Sequence, residues 1–356
     1  MKKIILTGGG TAGHVTPNIA LLPKLKEMGY EVHYIGSYDG MEKRLLADFD
    51  VPYYGISTGK FRRYFDIKNF TDPFRVLKGL AEARKIIKKI SPDIVFSKGG
   101  FVSVPVVRAA ASLGIPCILH ESDMTPGLAN KLCIPVATRI CCNFPETLSS
   151  LPQDKSILTG SPIRDELSKG NKIAGLDLCG FTANKPVIMV VGGSLGAAAV
   201  NRVLRQALPK LLPDFQIVHL CGRDKIDTQL LNVQGYKQFE YLKMEMKDIF
   251  AMADIVISRA GANAICELLA LKKPNLLIPL PAGSSRGDQI LNAKSFETQG
   301  FSMVVDEEIL TENLLADKVH ELYDTRQTYI EQMNQSGQLN SIQTIVQLFE
   351  DIINHK

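Results

Sequence analysis

Leu6-Thr-Gly-Gly-Gly-Thr-Ala-Gly-His14, near the start of the chain, and Val190-Val-Gly-Gly-Ser-Leu-Gly-Ala197, past its middle, are built alike. In each, an apolar run passes directly into a glycine cluster, and a helix-length amphipathic stretch follows. This order is typical of a strand, a tight turn and a crossover helix. After the second cluster, apolar residues recur at the spacing of one helix face: Val200, Val203, Leu204, Ala207 and Leu208. We therefore predict two Rossmann-like halves.

The helix after the first cluster has recognisable start and stop signals. Thr16 is expected to cap it, Pro17 to take its opening position and Gly29 to end it. Pro23 falls inside this helix and predicts a break or kink.

Short apolar runs alternate with helix-length stretches throughout, which predicts an α/β fold with doubly wound parallel sheets. The predicted strands are residues 3–7, 31–35, 93–96, 116–119 and 139–142, then 186–191, 215–220, 254–257, 275–279 and 301–305. Residues 151–185 between the two series are rich in proline and glycine and lack periodicity, as an interdomain crossing does. We place the boundary near residue 162, giving domains at 1–162 and 163–336 that face each other across a ligand-binding cleft.

The composition excludes several classes of protein. A chain of 356 residues with 45% apolar and 22% charged residues is globular, and a formal net charge of +4 is too small to indicate a nucleic-acid binder. No stretch approaches the roughly 18 to 20 consecutive apolar residues of a spanning helix, and the N-terminus enters a strand at once, so we expect neither a membrane-integral nor a secreted protein. The seven cysteines contain no CxxC pair and are expected to be reduced thiols, and no histidine spacing suggests a metal site.

The first glycine cluster admits more than one interpretation. Gly8, Gly10 and Gly13 satisfy GxGxxG, but the dinucleotide reading requires an acidic residue at the end of the next strand, where only Asp39 follows, in the loop. A dinucleotide-binding site is therefore disfavoured. The cluster instead allows a diphosphate to approach backbone N–H groups beside the titratable ring of His14. Glycines that merely permit close packing of strand and helix remain the alternative.

Other polar residues follow predicted strands at the same sheet edges. Lys98-Gly-Gly-Phe101 and His120-Glu-Ser-Asp123 lie in the first half. In the second half, Gly192-Gly-Ser194 opens a helix, which suits an anionic diphosphate. Glu267 lies about one turn into a later helix, where a carboxylate can accept both hydroxyls of a ribose; simple charge complementarity at a helix N-terminus is the alternative.

Two charged segments need separate explanations. Asp48-Phe-Asp50 has the Asp-x-Asp form of metal-dependent sugar transferases, but it lies at a predicted helix end, and we interpret it as solvated surface.

Residues 60–89 hold ten basic and three acidic residues, a net +7, interleaved with aromatic and aliphatic side chains. This pattern favours an anionic membrane surface, with RNA binding or an ordinary solvated helix face as alternatives.

The motifs occur in an order that closely resembles the MurG family of bacterial peptidoglycan glycosyltransferases. They are the segments at residues 8–14, 98–105, 120–131, 160–164, 192–197, 258–267 and 287–293. The resemblance implies a GT-B fold whose last helix, within residues 337–356, returns to the N-terminal domain. It also implies inverting transfer of GlcNAc from UDP-GlcNAc to the 4-hydroxyl of MurNAc in lipid I, giving lipid II, without a metal or another cofactor.

The resemblance further implies roles for individual residues. His14 is the expected base, with Glu121 second and Asp123 a competitor, since Ser122 and Asp123 stand where many members have Gln-Asn. The acceptor diphosphate is expected against residues 9–13, with Thr11, Ala12, Gly13, Gly99, Gly100, Asp123 and Asn130 on the acceptor side. The donor is expected at Arg164, Ser194, Ala262, Asn263, Glu267 and Gln289; Asp288 replaces the first residue of a Gln pair.

The same resemblance predicts a peripheral protein on the cytoplasmic face of the membrane, with other cell-wall synthesis proteins as possible partners. Three rival functions remain: a transferase acting on diacylglycerol, a dinucleotide oxidoreductase, and a non-catalytic subunit that binds a nucleotide sugar.

Overall fold

The structure, a computed structural model, describes residues 1–59, 68–193, 196–284 and 287–355. The chain divides into two compact units, Met1–Arg164 with Asn340–Lys356, and Asp165–Leu339. Each unit is built on one parallel sheet with helices on both faces, which confirms the predicted α/β class. None of the helices in the described ranges is long and apolar enough to cross a membrane.

The first unit has seven parallel strands among its described residues, in the order β3-β2-β1-β4-β5-β6-β7. The strand order therefore reverses between β1 and β4, which are direct neighbours. The strands are β1 (Lys3–Thr7), β2 (Glu31–Ser37), β3 (Tyr53–Ile56), β4 (Ile94–Ser97), β5 (Cys117–Glu121), β6 (Arg139–Cys142) and β7 (Ser156–Leu158).

Helices cover both faces of this sheet and bury its aliphatic side chains. One apolar cluster joins the sheet to α3, α4 and α5, and a second joins the opposite face to α1. The helices are α1 (Thr16–Glu27), α2 (Met41–Leu45), α3 (Lys68–Ile90), α4 (Ser103–Ala111) and α5 (Leu128–Cys133).

The second unit repeats the arrangement with the strand order β10-β9-β8-β11-β12-β13, reversing between β8 and β11. The predicted apolar face of the helix after β8 is buried against this sheet. The strands are β8 (Val187–Val191), β9 (Gln216–Leu220), β10 (Tyr236–Phe239), β11 (Ile255–Ser258), β12 (Asn275–Leu277) and β13 (Met303–Val304). The helices are α6 (Lys172–Cys179), α7 (Ala198–Leu211), α8 (Met246–Met252), α9 (Ala262–Ala270), α10 (Asp288–Thr298), α11 (Glu312–Asp324) and α12 (Arg326–Asn334).

The C-terminal helix α13 (Ser341–Asn354) packs against α1 of the first unit. The ring of Phe349 is fully buried and meets the ring of Phe96 on β4 edge-on, with 5.4 Å between the ring centroids. Glu350 pairs with Lys2 and accepts a hydrogen bond from Tyr30. This helix therefore completes the apolar layer on one face of the first sheet.

Three strands were not expected from the sequence: β3, β7 and β10. All three lie at the edge of a sheet, so each has a strand neighbour on one side only. Their side chains are partly buried or alternate between buried and exposed. Edge strands consequently lack the continuous apolar runs that identify the central strands.

The structure contradicts the predicted cap at Thr16 and the predicted break at Pro23. Thr16 is its first residue and Val15 precedes it; the Thr16 hydroxyl donates to the Ala12 carbonyl, because a 3-10 turn at Ala12–His14 leads into the helix. Pro23 is exposed and does not end the helix, whose opposite face is buried in the core. Gly29 does end it, with φ +75°.

Replacing Phe349 with alanine should lower the free energy of unfolding of the first unit by about 3–5 kcal/mol, because it opens a cavity beneath the sheet. Chemical denaturation followed by circular dichroism measures this change. Gln347→Ala, on the exposed face of the same helix, is the control and should change the value by less than about 0.5 kcal/mol. Equal unfolding of the two variants would contradict the packing assigned to α13.

Candidate active site

The two glycine loops of the first unit meet where the strand order reverses. The Gly9 N–H donates to the Gly99 carbonyl at 3.3 Å. A Cβ atom on Gly100, which has φ +84°, would lie 2.2 Å from the Gly9 carbonyl oxygen. Both the backbone angle and the close approach therefore require glycine here. Ligands of doubly wound sheets bind at such reversal points, so this is the candidate acceptor edge.

A buried carboxylate that the sequence did not single out supports the first glycine loop. Glu42, on α2, is 1% exposed. It accepts hydrogen bonds from the Ser37 N–H at 2.8 Å, the Ser37 hydroxyl at 2.5 Å and the Gly10 N–H at 3.4 Å. Glu42 thus ties the end of β2 to the loop after β1.

The backbone of the first glycine loop is partly satisfied within the protein. The N–H groups of Gly9 and Gly10 donate to the Gly99 carbonyl and to Glu42. Thr11 and Ala12 are exposed at the tip of the loop. The predicted diphosphate site at residues 9–13 stays a prediction.

His14 lies at the end of the same loop, half-buried. Its Nδ1 is 3.0 Å from the Gly9 carbonyl oxygen and 3.1 Å from the Thr11 hydroxyl. A carbonyl only accepts, so Nδ1 carries the proton, and Nε2 keeps its lone pair. Burial lowers the pKa of His14, and so does the charge of Lys98, against the Gly9 carbonyl and Glu42, which raise it. The neutral imidazole can therefore accept a proton near neutral pH.

A buried cation, Lys98, directly follows β4 and is 1% exposed. Its Nζ is 2.8 Å from Nδ1 of His120 and 2.7 Å from the Ser122 hydroxyl. The Nε2–H of His120 donates to the Gly160 carbonyl at 2.9 Å. Burial, and then the charge of Lys98, hold the pKa of His120 well below its usual range. His120 is therefore a neutral link between two segments of the chain.

Glu121 and Asn130 organise the loop that follows β5. The Glu121 carboxylate is 4% exposed and accepts from the N–H groups of Asp123 and Gly127, each at 3.0 Å, and from the Asn130 amide at 2.8 Å. Asp123 is half-buried in this loop. The Asn130 Oδ1 atom is buried with no hydrogen-bond partner among the described residues. A Cβ atom on Gly99 would lie 3.2 Å from this oxygen.

The second unit has its own reversal point, between β8 and β11. The loop after β8 contains Gly193 and Gly196, both with positive φ, and α7 follows it. A Cβ atom on Gly192 would lie 2.5 Å from the Ala197 nitrogen, so this loop also depends on glycine. Ser194, the expected donor residue in this loop, lies outside the described residues.

Side-chain contacts hold together the loops after β11 and β12. The Arg259 guanidinium donates to the carbonyls of Ile278 and Pro279, at 3.0 and 3.3 Å, and pairs with Glu307. The Asn292 amide donates to the Ala260 carbonyl at 3.1 Å. Arg259 was part of a motif in the sequence, but only the structure shows that its side chain connects these loops.

The expected donor residues occupy the ends of these elements. Ala262 opens α9 and is followed by Asn263, and Glu267 lies in the next turn; all three are half-buried. Gln289, on the first turn of α10, accepts from the Leu280 N–H at 3.2 Å. Arg164 is the last residue of the first segment of the first unit, directly before the second unit begins at Asp165. Their roles remain predictions.

The remaining charged candidates lie elsewhere. Asp48 and Asp50 are exposed after α2, as expected of a solvated surface. Within the described ranges, no three His, Cys, Asp or Glu side chains are grouped as they would be to hold a metal ion. In the basic segment at 60–89, residues 60–67 lie outside the described residues.

Known proteins match both halves of the chain. Residues 4–142 match the glycosyltransferase family 28 N-terminal domain and residues 187–349 its C-terminal domain. A protein of Lachnospira eligens named UDP-N-acetylglucosamine--N-acetylmuramyl-(pentapeptide) pyrophosphoryl-undecaprenol N-acetylglucosamine transferase is 65% identical over 99% of both chains. A protein of Clostridium tetani with the same name is 58% identical over 98% of both. The crystal structure of Acinetobacter baumannii MurG superposes with a TM-score of 0.79 at 29% identity, covering 99% of this chain and 100% of that one.

Two Rossmann-like units with glycine loops at both reversal points, together with these matches, define a glycosyltransferase of the GT-B fold. The chain belongs to glycosyltransferase family 28, and within it to the MurG proteins, as its motifs predicted.

Gly100→Ala should destabilise the first unit by at least about 2 kcal/mol, because the added Cβ would clash with the Gly9 carbonyl and the φ angle is unfavourable for alanine. Thermal unfolding measures the change. Gly337→Ala is the matched control, since nothing lies within 4 Å of its added Cβ, and it should unfold as the unmodified protein does. If the two variants unfolded at the same midpoint temperature, the contact between the two glycine loops would not contribute to stability.

Proposed function

We propose that this protein transfers GlcNAc from UDP-GlcNAc to the 4-hydroxyl of MurNAc in undecaprenyl-diphospho-MurNAc-pentapeptide, lipid I, and so forms lipid II. The observation that carries the proposal is the 65% identity, over 99% of both chains, to the Lachnospira eligens protein whose name states this transfer. A single displacement at C1 of the α-linked donor inverts the configuration and gives a β-linked product.

His14 is the base in this mechanism. The 4-hydroxyl oxygen forms a bond to C1 of GlcNAc, the bond between C1 and the UDP oxygen breaks, and the hydroxyl proton passes to Nε2 of His14. The Gly9 carbonyl supports this role because it holds the proton of the neutral ring on Nδ1. Glu121 is less suited, since its carboxylate is buried and accepts three hydrogen bonds from its own loop. We assign Glu121 to positioning of that loop.

The acceptor lies against the loops of the first unit. Its diphosphate approaches Thr11, Ala12 and Gly13, and Gly99 and Gly100 form the neighbouring wall. Asn130 Oδ1, which is buried without a described partner, is suited to accept a hydrogen bond from an amide or hydroxyl of the acceptor. Asp123 is close to it along the loop and contacts the same substrate.

The donor binds to the second unit. N–H groups at the start of α7, with Ser194, stabilise the negative charge on the departing UDP, so no metal is required. Glu267 accepts hydrogen bonds from the ribose, and Asn263 and Gln289 lie near the sugar. Ala262 and Arg164 complete the donor contacts.

The test is a transfer assay with radiolabelled UDP-GlcNAc and lipid I. The unmodified protein should form labelled lipid II with and without EDTA, and should not label diacylglycerol. His14→Ala should lower kcat by about 10²–10⁴-fold, because the proton acceptor is lost, with little change in the affinity for UDP-GlcNAc. Near-normal turnover of His14→Ala would show that His14 is not the base and would favour Glu121 or Asp123 instead. The absence of lipid II with the unmodified protein would refute the proposed function.

We also propose that the first unit binds the cytoplasmic face of the membrane, where the lipid acceptor resides and other cell-wall synthesis proteins act. On α3, Phe74 and Leu77 are 75% and 63% exposed and alternate with the exposed cations Arg75 and Lys78. On α5, Leu128 and Leu132 are exposed around Lys131, and α4 packs against both helices. Apolar side chains between cations match an anionic lipid surface.

Replacing both Phe74 and Leu77 with serine should weaken binding to anionic phospholipid vesicles at least about tenfold, because two apolar insertions are lost. Vesicle sedimentation measures binding, and turnover on a short-chain, water-soluble acceptor should be unchanged. The matched control replaces Ile173 and Leu231, 69% and 56% exposed on the second unit, with serine. Unchanged vesicle binding of the α3 variant would exclude this surface.

A further inference from the structure

Lys98 connects the two loop-bearing strands at the acceptor edge. Its N–H donates to the Thr7 carbonyl at 2.9 Å, so its backbone extends the pairing of β4 with β1. Its side chain runs the other way, toward β5, where Nζ donates to Nδ1 of His120 and to the Ser122 hydroxyl. One residue thus contacts all three strands whose ends carry the acceptor loops.

The contacts of His120 show that the charge in this cluster resides on Lys98. Nδ1 of His120 faces an ammonium group, and Nε2–H faces the Gly160 carbonyl, so the ring is held as the neutral Nε2–H tautomer. Protonation of His120 would place a second cation against Lys98. The cluster therefore holds one positive charge in a site that is almost fully buried.

The Lys98 side chain packs against the loop that carries His14. A Cβ atom on Gly8 would be 3.2 Å from Cβ of Lys98 and 2.5 Å from the carbonyl oxygen of His14. The Lys98 side chain and the His14 backbone therefore flank the same glycine. Because the site is buried, the interaction of Lys98 with the imidazole is screened less than it would be in water.

We propose that Lys98 is a positioning residue for sugar transfer: held by His120 and Ser122 and packed against Gly8, its buried ammonium group fixes the acceptor loops and the His14 imidazole that the first loop carries. The proposal rests on the proposed function and deepens it. Lys98 does not touch the reacting atoms; it acts through His14 and the loops.

The other groups that face His14 make the direction of the effect clear. Burial and Lys98 lower the pKa of His14, whereas the Gly9 carbonyl and the Glu42 carboxylate raise it. Without Lys98, the Gly9 carbonyl and the Glu42 carboxylate would still favour the protonated ring. The pKa of His14 should then rise. When the solution is acidified, His14 would become protonated, and so unable to accept a proton, at a higher pH than in the unmodified protein.

The experiment compares Lys98→Gln, which removes the charge and keeps a hydrogen-bond donor, with Lys98→Arg, which keeps the charge. The pKa of His14 is measured by NMR titration of the full-length protein without substrates, with its signals assigned by comparison with His14→Ala. We expect an upward shift in Lys98→Gln and little change in Lys98→Arg. In transfer assays, the acidic limb of kcat/KM should move the same way, so Lys98→Gln loses more activity at pH 6 than at pH 8.

The controls separate charge from packing and from the proposed function. Lys26→Met removes an exposed cation from the far end of α1 and should leave the titration unchanged. Lys98→Met, if it folds, should shift the pKa as Lys98→Gln does. A His14 titration in Lys98→Gln that matches the unmodified protein, or an equal shift in Lys98→Arg, would overturn the proposal. Failure of the unmodified protein to form lipid II would refute the proposed function, while the NMR result would still decide the effect of Lys98.

Discussion

The backbone contact between the two glycine loops is the constraint on which the acceptor edge depends. Gly9 and Gly99 share a hydrogen bond, and Gly100 approaches the Gly9 carbonyl too closely for any side chain. The same carbonyl accepts the hydrogen bond from His14. A shift of this one peptide would therefore move the loop contact and the imidazole together, which links the packing of the sheet to the orientation of the His14 ring.

Two buried charges of opposite sign lie on either side of this contact. Glu42 is held by the end of β2 and the first loop, and Lys98 by the end of β5. A buried charge is costly unless hydrogen bonds satisfy it, and both groups meet that condition. Their effects on the pKa of His14 oppose each other: Lys98 lowers it together with burial, which is the largest cause, and Glu42 raises it.

The sequence predicted the parts of the structure that repeat a strong local pattern. The central strands, both glycine loops and the helix face at Val200 could be recognised because apolar periodicity and glycine clusters are local signals. The edge strands β3, β7 and β10 could not, since one-sided pairing leaves no continuous apolar run; β13, also at an edge, was predicted within residues 301–305. Glu42 was not singled out, and Lys98 was named only as part of a glycine motif, because a charged residue that is buried by distant segments looks in the sequence like any surface charge. Arg259 was visible in a motif, but its bracing depends on Glu307, which is far along the chain.

The two units hold the loops at their reversal points by different kinds of contact. At the first reversal point, the backbones of the two glycine loops meet directly, and Thr11 and Ala12 are exposed at the tip of the loop that carries His14. At the second, the Arg259 guanidinium connects the loops after β11 and β12 through contacts with two carbonyls and Glu307. The first pair of loops is therefore held by close backbone contact, which requires glycine, and the second by a long side chain, which fixes the loops without direct backbone contact. The shared fold places loops at both reversal points, whereas these local contacts determine how each pair of loops is held.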